Sequence, residues 1–422
     1  MEITPSKGLR GEISPAPDKS ISHRAVMIGS IAKGKTVVNN FLMGGDCLST
    51  VECFRKMGVE IGISEDRVTV SGVGMRGLKA PREILYTGNS GTTTRLLCGL
   101  LAPQQFSCVL DGDESIRKRP MKRVIAPLRA MGARIEGTDG DFTPIRIDGT
   151  DLVGIEYELP VASAQLKSAL ILAGLYADGN TTVIEPKPSR NHTELMIKGF
   201  GGNISVEKNR ITVTGTEELS GQEIRVPGDI SSAAFFMVAA LIVPNSEITI
   251  RNVGLNETRT GIIDALRAMG ASIEIEKTGS GIEPSGNITV KHSTLRGAEI
   301  GGDLIPRLID ELPVIAVAAA FAEGRTVIRD AQELKVKESN RIDAMERELK
   351  RAGVDVQATD DGLIIQGGKP VHGAAFETYG DHRIAMSMAV LALAADGKST
   401  LDNHQCVDIS YPDFFETLKK IT

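Results

Sequence analysis

Six stretches of this chain are apolar at most positions for ten or more residues, open on polar residues, and run through a turn into a short strand-like segment. They are SISHRAVMIGSI from Ser20, SGTTTRLLCGLL from Ser90, SAQLKSALILAG from Ser163, SSAAFFMVAALI from Ser231, DELPVIAVAAAF from Asp310 and DHRIAMSMAVLA from Asp381. Each predicts a helix, a turn and a strand, with a polar first turn suited to holding an anion. A second pattern alternates with the first: FRKMGVEIGI, LRAMGARIEG, LRAMGASIEI and LKRAGVDVQA, with IKGFGGNISV a looser copy. These predict a second helix that ends in a Gly-small dipeptide before a strand. Strand pairs such as VEIGIS with RVTVSG, and NISVEK with RITVTG, predict antiparallel hairpins with charged turns.

The recurring Gly58, Gly132, Gly270 and Gly353 give a period of roughly seventy residues, longer than the common solenoid repeats. That length fits a packed βαβαββ module, so the predicted class is α/β (α+β), with six modules divided three and three. The expected lobes are 14–226 and 1–13 plus 227–422, with Val226-Pro227-Gly228 as the crossing segment. The sixth module stops after PDFFETLKKI without its strands, and the extended first thirteen residues have no helix of their own. They are expected to cross over and complete that last module. Two linkers would then make a hinge, and a hinge between similar lobes suggests a cleft that closes on its ligand.

Composition narrows the function. Of the 422 residues, 41% are hydrophobic and 24% charged, as in an ordinary globular protein, and the net charge of −6 gives no overall attraction for nucleic acid. With no Trp and few aromatics, the core has to rest on Ala, Ile, Leu, Val and Met. AAFFMVAALIV is shorter than the ~20 residues a membrane span needs. The start, MEITPSKGLRGEI, has no apolar stretch and is not expected to act as a signal peptide. Five cysteines with no CxxC spacing are read as reduced, mostly buried thiols rather than a zinc site, which suits the cytoplasm.

Two phosphate-loop matches fail on context. GSIAKGKT (29–36) fits the Walker A pattern, but a helix precedes it and a strand follows, the reverse of what that loop requires. AEGRT, ADGNT and ADGKS stand at the same place in other copies, which marks a structural turn. GVGMRG at Gly72 meets Pro81 and no helical pattern.

The chemistry concentrates at the helix entrances. Lys19, Ser20 and Arg24 lie in DKSISHR, at an amide-rich helix start that favours phosphate. Gly91, in NSGTTTR, allows a ligand close to the backbone. Arg117-Lys118-Arg119-Pro120-Met121-Lys122-Arg123 places five cations in seven residues, suited to carboxylate or phosphate. Ser163-Ala164-Gln165 and Ser189 offer neutral donors. Asp310-Glu311, Lys337-Glu338-Ser339-Asn340-Arg341 and Asp381-His382-Arg383 add carboxylates beside cations, the ingredients of general acid–base catalysis. Taken singly, each is an ordinary cap or solvated ion pair. Taken together, they point to an anionic ligand.

DKSISHR, GNSGTTTR, RPMKRV, SAQLKSA, SRNHTE, DELP, KVKESNR and GDHR, spread over nearly the whole chain, resemble the 5-enolpyruvylshikimate-3-phosphate synthase family. The resemblance implies two similar domains of three βαβαββ units (an inside-out α/β barrel) joined by two crossovers. It matches Lys19, Ser20, Arg24, Ser163, Ala164, Gln165, Ser189, Asp310 and Lys337 to positions that bind shikimate 3-phosphate. It matches Lys19, Gly91, Arg119, Gln165, Arg341 and Arg383 to positions that hold phosphoenolpyruvate. Asp310 and Glu338, assisted by Lys19, match the proton-transfer groups. Another branch of the family carries its loop arginine where Ser115 stands, a proline where Leu96 stands, and a lysine just before the final Phe/Tyr-Pro, here Ser410 before Tyr411-Pro412. With RPMKRV and SAQLKSA, these departures resemble the second bacterial class.

The implied reaction needs no metal, cofactor or covalent nucleophile, and its partners are two small molecules. Neither nucleic acid nor membrane is involved, and a monomer is expected. Two rivals are a UDP-N-acetylglucosamine enolpyruvyl transferase and a non-catalytic scaffold for polyanions. The first places a cysteine in the loop ending Arg-Pro, where this chain reads DESIRKRP; the second has no need of Asp310 and Glu338.

Overall fold

The computed structural model describes the backbone of residues 1–422 and every side chain but that at 280. The chain separates into two compact units, Pro17–Val226 and Met1–Ala16 with Pro227–Thr422. Residues 14–16, expected with the other lobe, belong with Pro227–Thr422. The Asp229 amide donates to the Ala16 carbonyl, and Gly228 lies so close to Pro15 that a Cβ there would come within 2.5 Å of its ring.

In Pro17–Val226 the helices Lys19–Ile31, Gly91–Leu101 and Ala164–Gly174 are buried along nearly their whole length. Gly91–Leu101 packs against both of the others. A helix buried all round must be apolar all round, and that is the pattern these segments carry beyond their first turns. Around them stand three four-stranded sheets, Glu223–Arg225/Lys33–Asn39/Arg67–Val73/Glu60–Ser64, Leu85–Tyr86/Ser107–Asp111/Phe142–Asp148/Arg134–Thr138 and Glu156–Glu158/Asn180–Ile184/Arg210–Thr214/Ile204–Glu207. The strand after each helix pairs in parallel with a strand from the end of the preceding module. For the first module that partner is Glu223–Arg225, from the end of the third, so the three modules close into a ring.

The second unit repeats the plan, with Ile230–Ile242, Leu312–Phe321 and His382–Ala394 in mutual contact at its centre. Phe235 and Phe236 meet Phe414 of the short terminal helix edge-on or tilted, at 6.0 and 5.5 Å. The N-terminal segment bears out the sequence expectation in part. Glu2–Ile3 joins the sixth module as a strand, pairing antiparallel with Ser399–Leu401, and the Ser6 and Arg10 amides donate to the Leu393 and Ile421 carbonyls. Arg10–Ile13 instead pairs in parallel with Glu247–Gly254 of the fourth. It takes there the place that Glu223–Arg225 takes in the first module, so the N-terminus closes this ring as well as supplying the antiparallel strand of the sixth module.

Each second helix stops at the predicted glycine. Gly58, Gly132, Gly270 and Gly353 have φ of 85°, 94°, 93° and 83°, a left-handed cap that other residues rarely adopt. After Gly58 the Val59 amide returns to the Phe54 carbonyl at 3.1 Å and closes the turn. Gly29–Ile31 ends a helix and Lys33–Asn39 is a strand, so the Walker-like match has the reversed order expected of it. All five cysteines are buried and outside any disulfide, and burial pushes Cys53, Cys98 and Cys108 up to about 12. Among the described residues no helix is long and apolar enough to cross a membrane.

Candidate active site

In Pro17–Val226 the polar helix entrances are tied to one another by side chains. Asp18 caps the first helix, accepting from the Ile21 amide at 2.9 Å, and Lys19 forms a 3.0 Å ion pair with Asp46. Arg24 is buried. Its Nη1 donates to the Ser20 carbonyl at 3.0 Å, its Nε to Thr193 Oγ1 at 2.7 Å and its Nη2 to Ser168 Oγ at 2.9 Å. His23, one residue earlier, meets Thr50 Oγ1 at 2.7 Å, and Thr50 in turn meets Thr93 at 2.8 Å. Burial, then the charges of Lys19 and Arg24, holds the His23 pKa well below the usual value, so this imidazole is neutral.

Ser90 caps the second helix through the Thr93 amide, and Gly91 is its first residue. A Cβ on Gly91 would lie 2.7 Å from Arg95 Nη1 and 3.4 Å from Arg119 Nη1, so two guanidinium groups come up to the bare backbone there. Arg95 Nη1 donates to Gln165 Oε1 at 2.7 Å, and Gln165 Nε2 to Thr92 Oγ1 at 3.1 Å. Arg119 reaches Asn89 Oδ1 and, at 3.1 Å, Ser115 Oγ. Arg117, two residues away and half-exposed, is taken by Asp111 through Nε and Nη2. Of these two loop arginines, Arg119 is the one beside Gly91. Ser163 caps the third helix, followed by half-buried Ala164. Buried Ser189 donates through its amide (3.2 Å) and its hydroxyl to Glu185 Oε1.

In the other unit one guanidinium organises the carboxylates. Arg341 begins a helix capped by Asn340 and is 1% exposed. Its Nη2 donates to Glu338 Oε2 at 2.6 Å and to Asp381 Oδ1 at 3.2 Å, its Nε to Asp381 Oδ2 at 2.8 Å, and its Nη1 to Asp310 Oδ1 at 3.4 Å. Lys337 also donates to Asp310 Oδ1, at 3.2 Å. Burial alone would lower the Arg341 pKa, but Asp381, Glu338 and Asp310 outweigh it and raise it. Burial would likewise raise that of Asp381, but the charge of Arg341 outweighs this and the net shift is downward. Arg383, 7% exposed, uses its backbone amide on Asp381 Oδ1 at 2.9 Å. Its guanidinium meets no carboxylate among the described residues, unlike that of Arg341.

Asp310 and Glu311 point to different arginines. Glu311, 0% exposed, contacts Ser231 Oγ and lies 3.8 Å from Arg259, which also donates to Asp229 Oδ1 at 3.2 Å. The sequence offers Asp381 as a carboxylate beside cations, or a cap, at the head of the last helix. The structure makes it both the cap and a bidentate partner of Arg341. Asp46 stands outside the sequence motifs, and Thr193 and Ser168 lie in SRNHTE and SAQLKSA with nothing local to single them out; all three come to Lys19 and Arg24 only through the fold.

Residues 3–418 match the sequence model of EPSP synthase (3-phosphoshikimate 1-carboxyvinyltransferase). The chain belongs to the EPSP synthase family. It is 55% identical over 418 residues to 3-phosphoshikimate 1-carboxyvinyltransferase of Bacillus cereus (strain G9842), covering 99% of this chain and 97% of that one. To the protein of the same name from Geobacillus kaustophilus (strain HTA426) it is 56% identical over 417 residues, 98% of each. Among solved structures it resembles EPSP synthase from Acinetobacter baumannii with a TM-score of 0.89 at 45% identity, covering 100% of this chain and 97% of that one. The two rings of βαβαββ modules are thus an EPSP synthase fold.

Proposed function

We propose that this enzyme transfers the enolpyruvyl group of phosphoenolpyruvate to the 5-hydroxyl of shikimate 3-phosphate and releases phosphate. The observation that carries the reading is the convergence of Asp310 and Glu338 on Arg341, with Lys337 on Asp310. Two carboxylates held by one buried cation are fixed in place relative to each other.

The chemistry is an addition followed by an elimination. The 5-hydroxyl attacks C2 of phosphoenolpyruvate while C3 takes a proton, and the tetrahedral intermediate then loses a C3 proton and phosphate. Asp310 takes the proton of the hydroxyl and Glu338 serves C3, with Lys19 assisting. Enol-ether carbons are weak bases, so the acid must stand beside the carbon and cations beside the phosphate that leaves. Lys19, Gly91, Arg119, Gln165, Arg341 and Arg383 are assigned to phosphoenolpyruvate. An arginine has five N–H donors, and carboxylates take four of those on Arg341, so this side chain offers the substrate one donor, on Nη1. Arg383 brings its whole guanidinium. Lys19, Ser20, Arg24, Ser163, Ala164, Gln165, Ser189, Asp310 and Lys337 are assigned to shikimate 3-phosphate. Pro17–Val226 supplies most of this second set and Lys19; Met1–Ala16 with Pro227–Thr422 supplies the proton-transfer carboxylates. A monomer in the cytoplasm is the expected state.

The test is phosphate release from purified protein given phosphoenolpyruvate with shikimate 3-phosphate, and separately with UDP-N-acetylglucosamine. Release is expected with the first acceptor alone, and Asp310→Asn and Glu338→Gln should abolish it, while Glu338→Gln, outside the shikimate 3-phosphate set, still binds that substrate. Release only with the UDP-sugar would overturn the reading, and ligand binding without turnover would favour a scaffold.

A further inference from the structure

Helix Ala164–Gly174 reads AQLKSALILAG and is buried from Leu166 to its end, with Lys167 its one charged residue. The Lys167 side chain is 1% exposed, and three acceptors meet its ammonium. Nζ lies 2.9 Å from Glu185 Oε2, 2.7 Å from Glu194 Oε1 and 3.3 Å from the Ser189 carbonyl. Glu185 follows strand Asn180–Ile184, and Glu194 lies in the first turn of helix His192–Gly199. One ammonium therefore fastens both ends and the middle of segment 185–194. Glu185 Oε1 in turn receives the amide and hydroxyl of Ser189. The next residue, Ser168, bonds Thr193 at 2.6 Å, and these two hydroxyls hold the Arg24 guanidinium. Lys167-Ser168 on one helix and Thr193-Glu194 on the next thus form a buried two-by-two contact. One pair sets Arg24 and the other sets Ser189.

Stability does not require this arrangement. Removing an ammonium and two carboxylates from water carries a large penalty, and well-packed apolar side chains of similar volume often do as well or better. The trio also carries one negative charge in excess. We propose that Lys167, with Glu185 and Glu194, is a positioning element for shikimate 3-phosphate that sets Ser189 and, through Ser168 and Thr193, Arg24. The proposal rests on the functional reading above, which places Arg24 and Ser189 on that substrate. Lys167 does not itself touch the substrate, and phosphoenolpyruvate is assigned to other residues.

The test variant is the apolar triple Lys167→Met/Glu185→Leu/Glu194→Leu, which leaves no uncompensated buried charge. Lys167→Met alone is measured beside it, and circular dichroism checks that both fold. Phosphate release gives the KM of each substrate, and calorimetry gives the Kd of shikimate 3-phosphate in the absence of turnover. The KM and Kd for shikimate 3-phosphate should rise at least about tenfold, while the KM for phosphoenolpyruvate stays within about twofold. General loosening of the unit would raise both KM values together, and that result overturns the proposal. So does a native enzyme that turns over while the folded triple variant keeps its KM for shikimate 3-phosphate. A native enzyme that neither binds shikimate 3-phosphate nor releases phosphate overturns the functional reading, and this assignment with it.

Discussion

Asp381→Asn tests the carboxylate cluster through its most buried member. Four donors converge on the Asp381 carboxylate. Oδ2 receives Arg341 Nε at 2.8 Å and Ser339 Oγ at 2.9 Å, while Oδ1 receives Arg341 Nη2 at 3.2 Å and the Arg383 amide at 2.9 Å. An asparagine can turn only its oxygen to one side. Its NH2 must then face donors on the other, and one of the three carboxylates that balance Arg341 is gone. Breaking a buried ion pair by removing one partner costs about 3–5 kcal/mol. Arg341 keeps Glu338 at 2.6 Å and Asp310 at 3.4 Å, and Asn still caps the helix. We therefore expect the low end, about 3 kcal/mol at pH 7, or a Tm loss of about 6–12 °C for a unit of this size.

The pH dependence carries the sharper test. The Asp381 pKa is lowered in the folded state from an unfolded value near 3.8. Its contribution is therefore complete above that value and is lost as pH falls through the lower, folded one. Asn does not titrate in this range. The stability gap between the two proteins should hold from pH 7 down to about 4 and shrink by up to about 1 kcal/mol by pH 3. With no Trp in the chain, urea titrations followed by far-UV circular dichroism are the suitable assay. A gap under about 1 kcal/mol at pH 7, or one that is the same at pH 7 and pH 3, would refute the reasoning.

Two further outcomes test the loop arginines and the bare backbone at Gly91. Arg119→Ala should raise the KM for phosphoenolpyruvate about tenfold or more. Arg117→Ala should leave it within about twofold, because Arg117 is half-exposed and engaged by Asp111; steady-state kinetics of the pair decides this. Gly91→Ala places a methyl 2.7 Å from Arg95 Nη1, the group that holds Gln165. The guanidinium is a mobile end and can shift, so the Tm should move by no more than about 2 °C while the KM for phosphoenolpyruvate rises several-fold; a melt and a KM measured on one sample check both.

What the sequence disclosed and what it concealed differ by the range of the contacts. The helix–turn–strand copies and the glycine caps at Gly58, Gly132, Gly270 and Gly353 are local, and each is a conformation that a few neighbouring residues dictate. The destination of Arg10–Ile13 is set instead by pairing with residues 247–250, more than 230 positions away, and no local pattern in RGEI distinguishes the fourth module from the sixth. The same holds for the site. Lys19, Arg24 and Arg341 stand in recognisable helix entrances, whereas their partners Asp46, Thr193 and Asp381 lie 27, 169 and 40 residues away. Lys167 is the exception that could have been found. A lysine in the middle of SAQLKSALILAG, on a helix apolar all round, has no solvent to reach, so it must meet carboxylates from elsewhere in the fold. A charge that interrupts an otherwise unbroken apolar helix is therefore a sequence signal in its own right: it announces a buried network and leaves only the identity of the partners, here Glu185 and Glu194, to the structure.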